Sequence, residues 1–484
     1  MQNKILTARN IKYSVLAVFI ITTFILLFQR APFWDEAHAW MISKSFNLFD
    51  LIFHIEKYDG HLFIWHGLIM PFAKFDFFYP YPMYILNWIF CVFALVVFWN
   101  KAPFSVLEKS LITFSYPFVW YFGIVARCYS IGILFLFLIL SFWKERLKRP
   151  YLISLLIILL ANTSAMALVG AFSLGLIFLF DLIKERDYKK IVYSILILGF
   201  GAISVIVQLW GANYPDMASK KTVFQDILTS FFFLYDFEAD KNIFYITNKI
   251  SAVLIFLLCF LSPLYFIKTK RALFFIISSF FSMSCIFIFK YPGSFWHYLF
   301  FFVYFISAIW LSRDENKKNN PSIKKAFNLI FVLMLFTYLV LTFAFPHIPK
   351  ELPYKSKAYI IADKIKKNVP ITKDNKVYLL DSYKETSVGI LPYFKDIVFY
   401  DTNGDVKYSV DGFKNYLKLP DYPKDIDVFI NSLSENKTNI GISEDIRPER
   451  YKGKNYDVIM EKLYSGHKPD FRIYKMIKVK NGEG

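Results

Sequence analysis

Two adjacent carboxylic acids, Asp35 and Glu36, follow the first apolar segment of the chain. A carboxylate is costly to keep beside hydrocarbon, so an acid pair at the end of an apolar segment indicates a functional site. Such a group can act as a general base or hold a metal ion, and it can also simply cap a helix. Because neighbouring side chains on a helix point about 100° apart, we expect Asp35 to perform the chemistry and Glu36 to support it.

A third acid, Asp59, and several histidines follow in the same stretch. Four of the seven histidines lie there: His38, His54, His61 and His66. Carboxylates and imidazoles are common metal ligands, so Asp35 and His61 are candidate ligands and a divalent cation is a candidate cofactor. No spacing among these residues is diagnostic of a metal site. Hydrogen bonding at the membrane surface is the alternative for His61 and Asp59, and the sequence favours it.

Arg127 lies at the end of another apolar segment, in the run from Ala126 to Ser130. Most positive charge in this chain collects at the opposite ends of the apolar segments, so this arginine departs from the usual bias. Its guanidinium could reach lipid headgroups, or it could bind a phosphate through paired hydrogen bonds. We predict phosphate binding by Arg127, with a further hydrogen bond from Tyr129.

Two more polar positions, Asn162 and His297, also lie at the predicted outer ends of apolar segments. The segment around Asn162 is equally consistent with a polar turn. The aromatic residues around His297 are equally consistent with an interfacial belt and a glycine bend. We retain both residues as candidate substrate contacts.

The composition places these residues in a membrane protein. The chain has 484 residues, of which 56% are hydrophobic and 20% aromatic, with 56 Phe. The net charge of +18 invites a nucleic-acid interpretation. However, the basic residues fall in short groups between apolar segments, which is typical of the cytoplasmic loops of a membrane protein. We therefore exclude nucleic acid as a partner and expect membrane lipids.

The apolar segments predict eleven crossings of roughly 30 Å of hydrocarbon. The predicted spans are 12–29, 83–100, 106–122, 128–143, 151–167, 168–183, 190–210, 246–267, 272–289, 295–312 and 325–345. The basic groups then share one side, which by the positive-inside bias is cytoplasmic. We predict a multi-pass protein of the inner or plasma membrane, with a cytoplasmic N-terminus and an extracytoplasmic C-terminal domain.

The predicted division is a membrane domain over 1–345 and a small α/β domain over 346–484. Short apolar runs predict strands at 377–380, 397–400 and 428–430. Amphipathic stretches predict helices near 354–367 and 411–417, and the alternation suits a small α/β domain. The four cysteines all lie in or beside apolar segments, so no disulfide framework is expected in the tail. The stretch from Trp40 to Ile52 is amphipathic and could lie flat on the membrane.

Taken together, the acid pair after the first span, the Gly60–His61 element before the second and the Ala126–Ser130 element resemble the GT-C superfamily. The members of this superfamily are polytopic glycosyltransferases that use polyprenyl-phosphate sugars. The chain is most similar to the bacterial protein O-mannosyltransferase and aminoarabinose transferase group. The resemblance implies an all-α membrane bundle with amphipathic outer-loop helices and a small outer α/β domain.

The resemblance also implies roles for individual residues. Asp35 matches the first-loop carboxylate that acts as the catalytic base or organises the site, and Arg127 matches a residue that contacts the lipid phosphate. Two positions depart from the pattern: His61 is followed by Leu62 rather than proline, and Trp296 stands where relatives have arginine. These departures indicate a diverged substrate or reduced activity.

The expected activity is transfer of a sugar, with inversion, from a polyprenyl-phosphate donor to an acceptor hydroxyl at the outer face. The acceptor would be a lipid-linked glycan, a lipid or a protein. A transporter for lipid-linked sugars is the alternative, but it would place polar residues at mid-membrane depth, where these spans have almost none. A non-enzymatic scaffold is a third interpretation. The enzyme hypothesis requires that Asp35 and Arg127 share one outer pocket.

Overall fold

Helices, many of them long and apolar, occupy most of the described residues up to Ala344 in the computed structural model. They are α1 (Gln2–Gln29), α2 (Trp34–Ser45), α3 (Leu48–Phe53), α4 (Phe63–Lys74), α5 (Tyr81–Lys101), α6 (Val106–Thr113), α7 (Tyr129–Ser141), α8 (Pro150–Ala161), α9 (Ala165–Glu185), α10 (Tyr188–Leu209), α11 (Ile243–Phe266), α12 (Lys270–Phe289), α13 (Phe295–Glu315) and α14 (Pro321–Ala344). The structure describes residues 2–53, 61–75, 77–210, 243–290, 293, 295–315, 320–344, 357–368, 375–380, 389–394, 399–400, 429–431, 433, 438–443, 450–452, 455–467 and 470–480.

Each of the eleven predicted spans coincides with one of these helices or with a broken helix. Among the described residues, seven helices are long and apolar enough to cross a membrane, and α7 and α8 are shorter apolar helices. With 12 residues, α8 is only about 18 Å long, too short to cross hydrocarbon alone. The predicted polytopic all-α membrane bundle is therefore confirmed, although the break between α8 and α9 lies at 162–164 rather than at 167.

The predicted span 106–122 is not one continuous helix. Its first part, α6, ends at Thr113, and a six-residue π-helix follows over Pro117–Phe122. Proline has no N–H to donate and its ring crowds the preceding turn, so Pro117 can begin a helix but not continue α6. Thr342 of α14 ties the interruption in place, because its hydroxyl donates to the Phe114 carbonyl at 2.9 Å and its own carbonyl accepts from Trp120 Nε1 at 3.1 Å. A π-helical turn of this kind is frequent beside functional sites.

Two compact units make up the chain. The first contains 1–28, 52–65 and 83–350, and the second contains 29–51, 66–82 and 351–484. The second unit thus includes, besides the tail, two stretches on either side of residues 52–65 that the sequence assigns to the membrane domain. The predicted domain boundary between 345 and 346 stays a prediction, as does the sidedness of the termini.

Ion pairs join several helix ends of the first unit. Asp181 of α9 accepts hydrogen bonds from Arg146 Nε at 2.9 Å and from Arg271 Nη2 at 2.7 Å. Glu108 of α6 accepts one hydrogen bond on each carboxylate oxygen from Arg313 of α13, at 2.9 and 2.6 Å. Paired guanidinium–carboxylate contacts fix both distance and orientation, so these groups hold four helix ends and the segment after α7 in register.

The second unit contains a mixed sheet of six strands in the order β2-β1-β3-β6-β5-β4. These strands and the preceding helix are α15 (Lys357–Asn368), β1 (Asn375–Leu379), β2 (Phe399–Tyr400), β3 (Thr438–Ser443), β4 (Arg450–Lys452), β5 (Tyr456–His467) and β6 (Asp470–Lys480). Strands β1, β2 and β3 are parallel, whereas β6, β5 and β4 continue the sheet in antiparallel fashion. Side chains such as Tyr378, Val458 and Met476 form its core.

The predicted α/β character of the tail is confirmed. The helix expected near 354–367 is α15, and the first two predicted strands coincide with β1 and β2. The third predicted strand is wrong, because Phe429 and Ile430 lie in a helical turn and pack into the core. A three-residue apolar run cannot distinguish a buried strand from a buried helical turn. The helix expected at 411–417 lies outside the described residues.

Candidate functional site

The acid pair lies in the first turn of α2, which Phe33 precedes with extended backbone. Glu36 is completely buried, and Arg30 donates hydrogen bonds to both of its carboxylate oxygens, with Nη1 to Oε2 at 2.7 Å. The backbone N–H of Phe33 donates to the same Oε2 at 2.7 Å. Three donors therefore occupy Glu36, and this carboxylate stabilises the start of α2 rather than facing solvent.

Asp35 differs from Glu36 in its surroundings. It is the second residue of the same helix, and it is only half-buried. Since Glu36 neutralises Arg30 in a buried pair, Asp35 is the acid of the two that keeps access to solvent. Their predicted division of roles, with Asp35 as the base and Glu36 as its support, stays a prediction.

The apolar side of α2 packs inside the second unit. Trp40, Met41 and Ile42 are fully buried, so these three residues of the amphipathic stretch pack against the protein itself. Trp40 packs against Tyr79 with ring centroids 5.1 Å apart, and Tyr79 packs in turn against Tyr393 at 5.3 Å. Helix α2 is thereby held by a segment of the C-terminal region.

Tyr393 has a buried hydroxyl that finds no hydrogen-bond partner among the described residues. Burial raises the pKa of Tyr393 far above its ordinary value, and the neighbouring Tyr359 and Glu36 add to the shift. The phenol is therefore neutral throughout the physiological pH range.

A cluster of rings in the first unit brings together three predicted site residues. His61 lies 5.5 Å from Tyr129 and 6.4 Å from His297, measured between ring centroids, and Tyr129 lies 5.9 Å from His297. These residues come from three widely separated parts of the sequence. We call His61, Tyr129 and His297 the histidine–tyrosine cluster. Its rings offer imidazole nitrogens and a phenol, all groups that can donate hydrogen bonds to phosphate oxygens.

Cys128 adds a contact that the sequence did not suggest. Its Sγ lies 3.2 Å from Nδ1 of His61, and both side chains are buried. A partner at Nδ1 fixes the orientation of the imidazole and influences which ring nitrogen carries the proton. Because Cys128 immediately precedes Tyr129, a single short segment contacts His61 with two successive residues.

Arg127 lies in the turn that joins the π-helix to α7 and is buried in the first unit. Gly123 makes this turn possible, since a Cβ there would lie 2.7 Å from the Phe118 carbonyl oxygen. The carbonyl of Phe122 accepts hydrogen bonds from Ser130 Oγ at 2.6 Å and from Asn87 Nδ2 at 3.1 Å. Arg127 thus sits on a turn whose path is fixed on both sides, one residue from the His61 contact.

Asn162 belongs to a hydrogen-bond network at the end of α8. Its Oδ1 accepts from Gln208 Nε2 at 2.8 Å and from Ser204 Oγ at 2.9 Å, and its Nδ2 donates to the Ile158 carbonyl at 2.8 Å. Gln208 Oε1 then accepts from the backbone N–H of Phe63 at 2.8 Å. The amide of Asn162 is therefore engaged within the protein, and direct substrate binding by Asn162 stays a prediction.

The network reveals residues that the sequence did not single out. Gln208 and Ser204 lie one helical turn apart on α10, and Gln208 is completely buried. One glutamine and one serine in an apolar helix look like ordinary exceptions, and only their spacing of four residues hinted at a shared polar face. Through Phe63, this face contacts the segment that begins with His61.

The two predicted metal ligands, Asp35 and His61, lie in different units. No group of three or more His, Cys, Asp and Glu side chains in the part of the chain that the structure describes is arranged to hold a metal ion. Asp59 lies outside the described residues, while Asp35 belongs to the second unit and His61 to the first. Metal binding by Asp35 and His61 stays a prediction.

Comparisons with known proteins identify the fold. No protein-family model matches the chain, and no curated protein matches it in sequence. The structure of ArnT from Cupriavidus metallidurans bound to undecaprenyl phosphate is similar over 96% of this chain and 97% of its own, with a TM-score of 0.54 and 9% identity. The structure of the same protein in the apo state gives the same TM-score and identity over 97% and 98%. At this identity the likeness shows the fold alone, and it confirms the polytopic membrane architecture over nearly the whole chain.

Proposed function

We propose that this chain is a membrane glycosyltransferase that moves a sugar from a polyprenyl-phosphate carrier to an acceptor hydroxyl. The observation that carries the proposal is the meeting of His61, Tyr129 and His297, with Arg127 two residues from Tyr129. Hydrogen-bond donors and a guanidinium at the ends of membrane helices suit a phosphate carried by a lipid. The fold likeness adds support, because the ArnT structure binds undecaprenyl phosphate.

The proposed reaction breaks one bond and forms another at the anomeric carbon of the sugar. An acceptor hydroxyl oxygen attacks this carbon while Asp35 takes its proton, and the bond between the carbon and the phosphate oxygen breaks. Attack opposite the leaving phosphate inverts the configuration. Glu36 holds Arg30 and the first turn of α2, and it therefore positions Asp35 rather than reacting itself.

The leaving group determines what the other residues supply. A lipid phosphate is weakly basic, so its departure needs compensation of negative charge more than it needs a proton. Arg127 supplies this charge through its guanidinium, and Tyr129, His61 and His297 donate hydrogen bonds to phosphate or sugar oxygens. Asn162 acts through Gln208 on the segment that carries His61. A divalent cation would add to the role of Arg127, and loss of transfer on dialysis against EDTA, reversed by Mg²⁺ or Mn²⁺, would reveal it.

The test uses the purified full-length protein in lipid nanodiscs with a radiolabelled polyprenyl-phosphate sugar and a membrane extract as the source of acceptors. We expect label to leave the carrier and enter a product with different solubility. The Arg127→Met variant should lose carrier binding, whereas Arg149→Met should not, because Arg149 lies in an exposed ion pair with Glu145. Movement of intact labelled carrier across liposome membranes without cleavage would support a transporter instead.

A further inference from the structure

Three phenylalanines between α4 and α5 project from the surface of the second unit. Phe75, Phe77 and Phe78 are 80%, 54% and 73% exposed. We call these three residues the phenylalanine loop. Large exposed apolar patches on proteins usually mark a surface that contacts a membrane or another protein.

The phenylalanine loop is held in an outward position by its neighbours. Tyr79, the next residue, points inward and packs between Trp40 and Tyr393. The backbone N–H of Phe77 donates to the Phe72 carbonyl at 2.9 Å. Phe78 has a φ of 32°, a conformation that bulky side chains rarely adopt. A strained residue with an exposed aromatic ring is expected where the surrounding structure enforces its display.

The position of the loop in the chain identifies what covers it. Helix α5, a candidate membrane span, begins at Tyr81, only three residues after Phe78. A loop this close to the start of a span lies at the boundary between hydrocarbon and headgroups, where aromatic side chains are enriched. The loop therefore adjoins, along the chain, a helix that is long and apolar enough to cross a membrane.

Lys74 and Leu48 supply a charged group and a further apolar group that suit the boundary between hydrocarbon and headgroups. Asp50 of α3 acts on the Lys74 ammonium at the end of α4, opposing the fall in the pKa of Lys74 that burial causes. Leu48, at the start of α3 in the same unit, is also exposed. A lysine next to apolar side chains can extend its ammonium to lipid phosphates while its stem remains in the apolar layer.

We propose that the phenylalanine loop, together with Leu48, is a membrane-contact surface that inserts into the headgroup and upper acyl region of the bilayer. Its partner is the lipid surface itself, not a second protein. The proposal is independent of the reaction that the protein catalyses.

Fluorescence quenching in nanodiscs tests the proposal directly. Phe78→Cys and Phe75→Cys are made separately in a background of Cys259→Ala and Cys285→Ala, which leaves the buried Cys91 and Cys128, and each is labelled with an environment-sensitive dye. Lys462→Cys on β5 is the matched control, because Lys462 is an exposed residue of the same unit. Retention of the native melting temperature by each labelled protein shows that it is folded.

We expect lipids that carry a spin label near the headgroup to quench the dye at positions 75 and 78 several-fold more than at position 462. Aqueous iodide should quench in the opposite order, and the emission at 75 and 78 should be shifted to shorter wavelength. Equal iodide quenching at all three positions in nanodiscs would overturn the proposal. So would protection of positions 75 and 78 that persists in detergent without lipid and disappears on dilution, since this would indicate a protein partner.

Discussion

Gln208 and Phe63 are joined by a hydrogen bond of 2.8 Å from the Phe63 backbone N–H to the Gln208 side-chain oxygen, across 145 positions in the chain. Since Gln208 also donates to Asn162, one buried glutamine connects the ends of α8 and α10 with the beginning of α4. Phe63 follows His61 by two residues, so this bond limits where the histidine–tyrosine cluster can form.

Gln208→Leu should therefore weaken binding of the lipid carrier. The substitution leaves the Phe63 N–H and the Asn162 oxygen with fewer partners in a buried place, which costs about 1–3 kcal/mol per unsatisfied group. We expect about a tenfold rise in the dissociation constant for undecaprenyl phosphate, as about 1.4 kcal/mol of lost binding energy would produce. Native mass spectrometry of the protein with this lipid measures it.

Two further variants separate positioning from general destabilisation. Gln208→Glu can still accept from Phe63 but cannot donate to Asn162. Its dissociation constant for undecaprenyl phosphate should therefore lie between those of wild type and Gln208→Leu. Ser204→Ala removes a neighbouring hydroxyl that does not contact Phe63, and it should leave carrier binding nearly unchanged. Equal losses in all three variants would contradict the positioning role.

Breaking the buried pair of Arg30 and Glu36 should destabilise the second unit. Removing one partner leaves the other charge buried without compensation, which typically costs about 3–5 kcal/mol. We expect Glu36→Gln and Arg30→Met to lower the melting temperature strongly. The double variant Arg30→Met/Glu36→Leu should recover part of this loss, because neither charge then remains. If the double variant loses as much melting temperature as the two single variants added together, the ion pair is not the source of their instability.

Tyr393 should make the stability of the protein sensitive to alkaline pH. Its folded-state pKa is raised by burial, so its contribution to stability is complete below the pKa of an unfolded tyrosine, about 10, and falls as the pH rises above that value. Tyr393→Phe should weaken the loss of stability between about pH 9 and 11. It should also stabilise the protein slightly at pH 7, because it removes a buried hydroxyl without a described partner.

Melting temperatures of wild type and Tyr393→Phe across this pH range check the prediction. Tyr188→Phe is a suitable control, since Tyr188 is exposed at the start of α10. Parallel pH profiles for wild type and Tyr393→Phe would show that the folded protein does not hold Tyr393 neutral.

Gly123→Ala should disturb the turn that carries Arg127. The new Cβ would lie 2.7 and 2.9 Å from two backbone carbonyl oxygens of the π-helix, and backbone atoms cannot move aside as a flexible side chain can. We expect a loss of carrier binding together with a lower melting temperature. Gly199→Ala on α10 is the control, because nothing lies within 4 Å of the corresponding Cβ. Unchanged carrier binding in Gly123→Ala would show that the path of this turn does not matter for the site.

The sequence predicted features that depend on local patterns. Apolar segments of sufficient length located the membrane helices, and the acid pair after the first of them was consistent with a helix start as one of its interpretations. The contacts of the histidine–tyrosine cluster depend on where three distant segments meet, which no local pattern contains. The candidate residues themselves could still be chosen, because polar groups at the ends of apolar segments are few in this chain.

The remaining misses have specific physical causes. No local pattern marks Arg30 as the partner of Glu36, yet the start of α2 places its guanidinium, six residues before Glu36, beside both carboxylate oxygens. The π-helix at Pro117 was hidden inside a continuous apolar run, since apolar periodicity does not reveal a change of hydrogen-bond pattern. The sequence does not distinguish Gln208 from an ordinary polar residue, because its hydrogen-bond partner Phe63 lies 145 positions away.

The transfer reaction of Asp35→Asn tests the central claim most directly. Asparagine keeps the size of the side chain but cannot accept the acceptor proton, and Asp50→Asn on α3 provides the same change at another acid of the same unit. Transfer of radiolabelled sugar and binding of undecaprenyl phosphate are measured on the same nanodisc samples. We expect Asp35→Asn to bind the lipid as wild type does while transfer falls by about 100-fold or more, the usual scale of a lost general base, and Asp50→Asn to transfer normally. Transfer by Asp35→Asn at close to the wild-type rate would contradict the account.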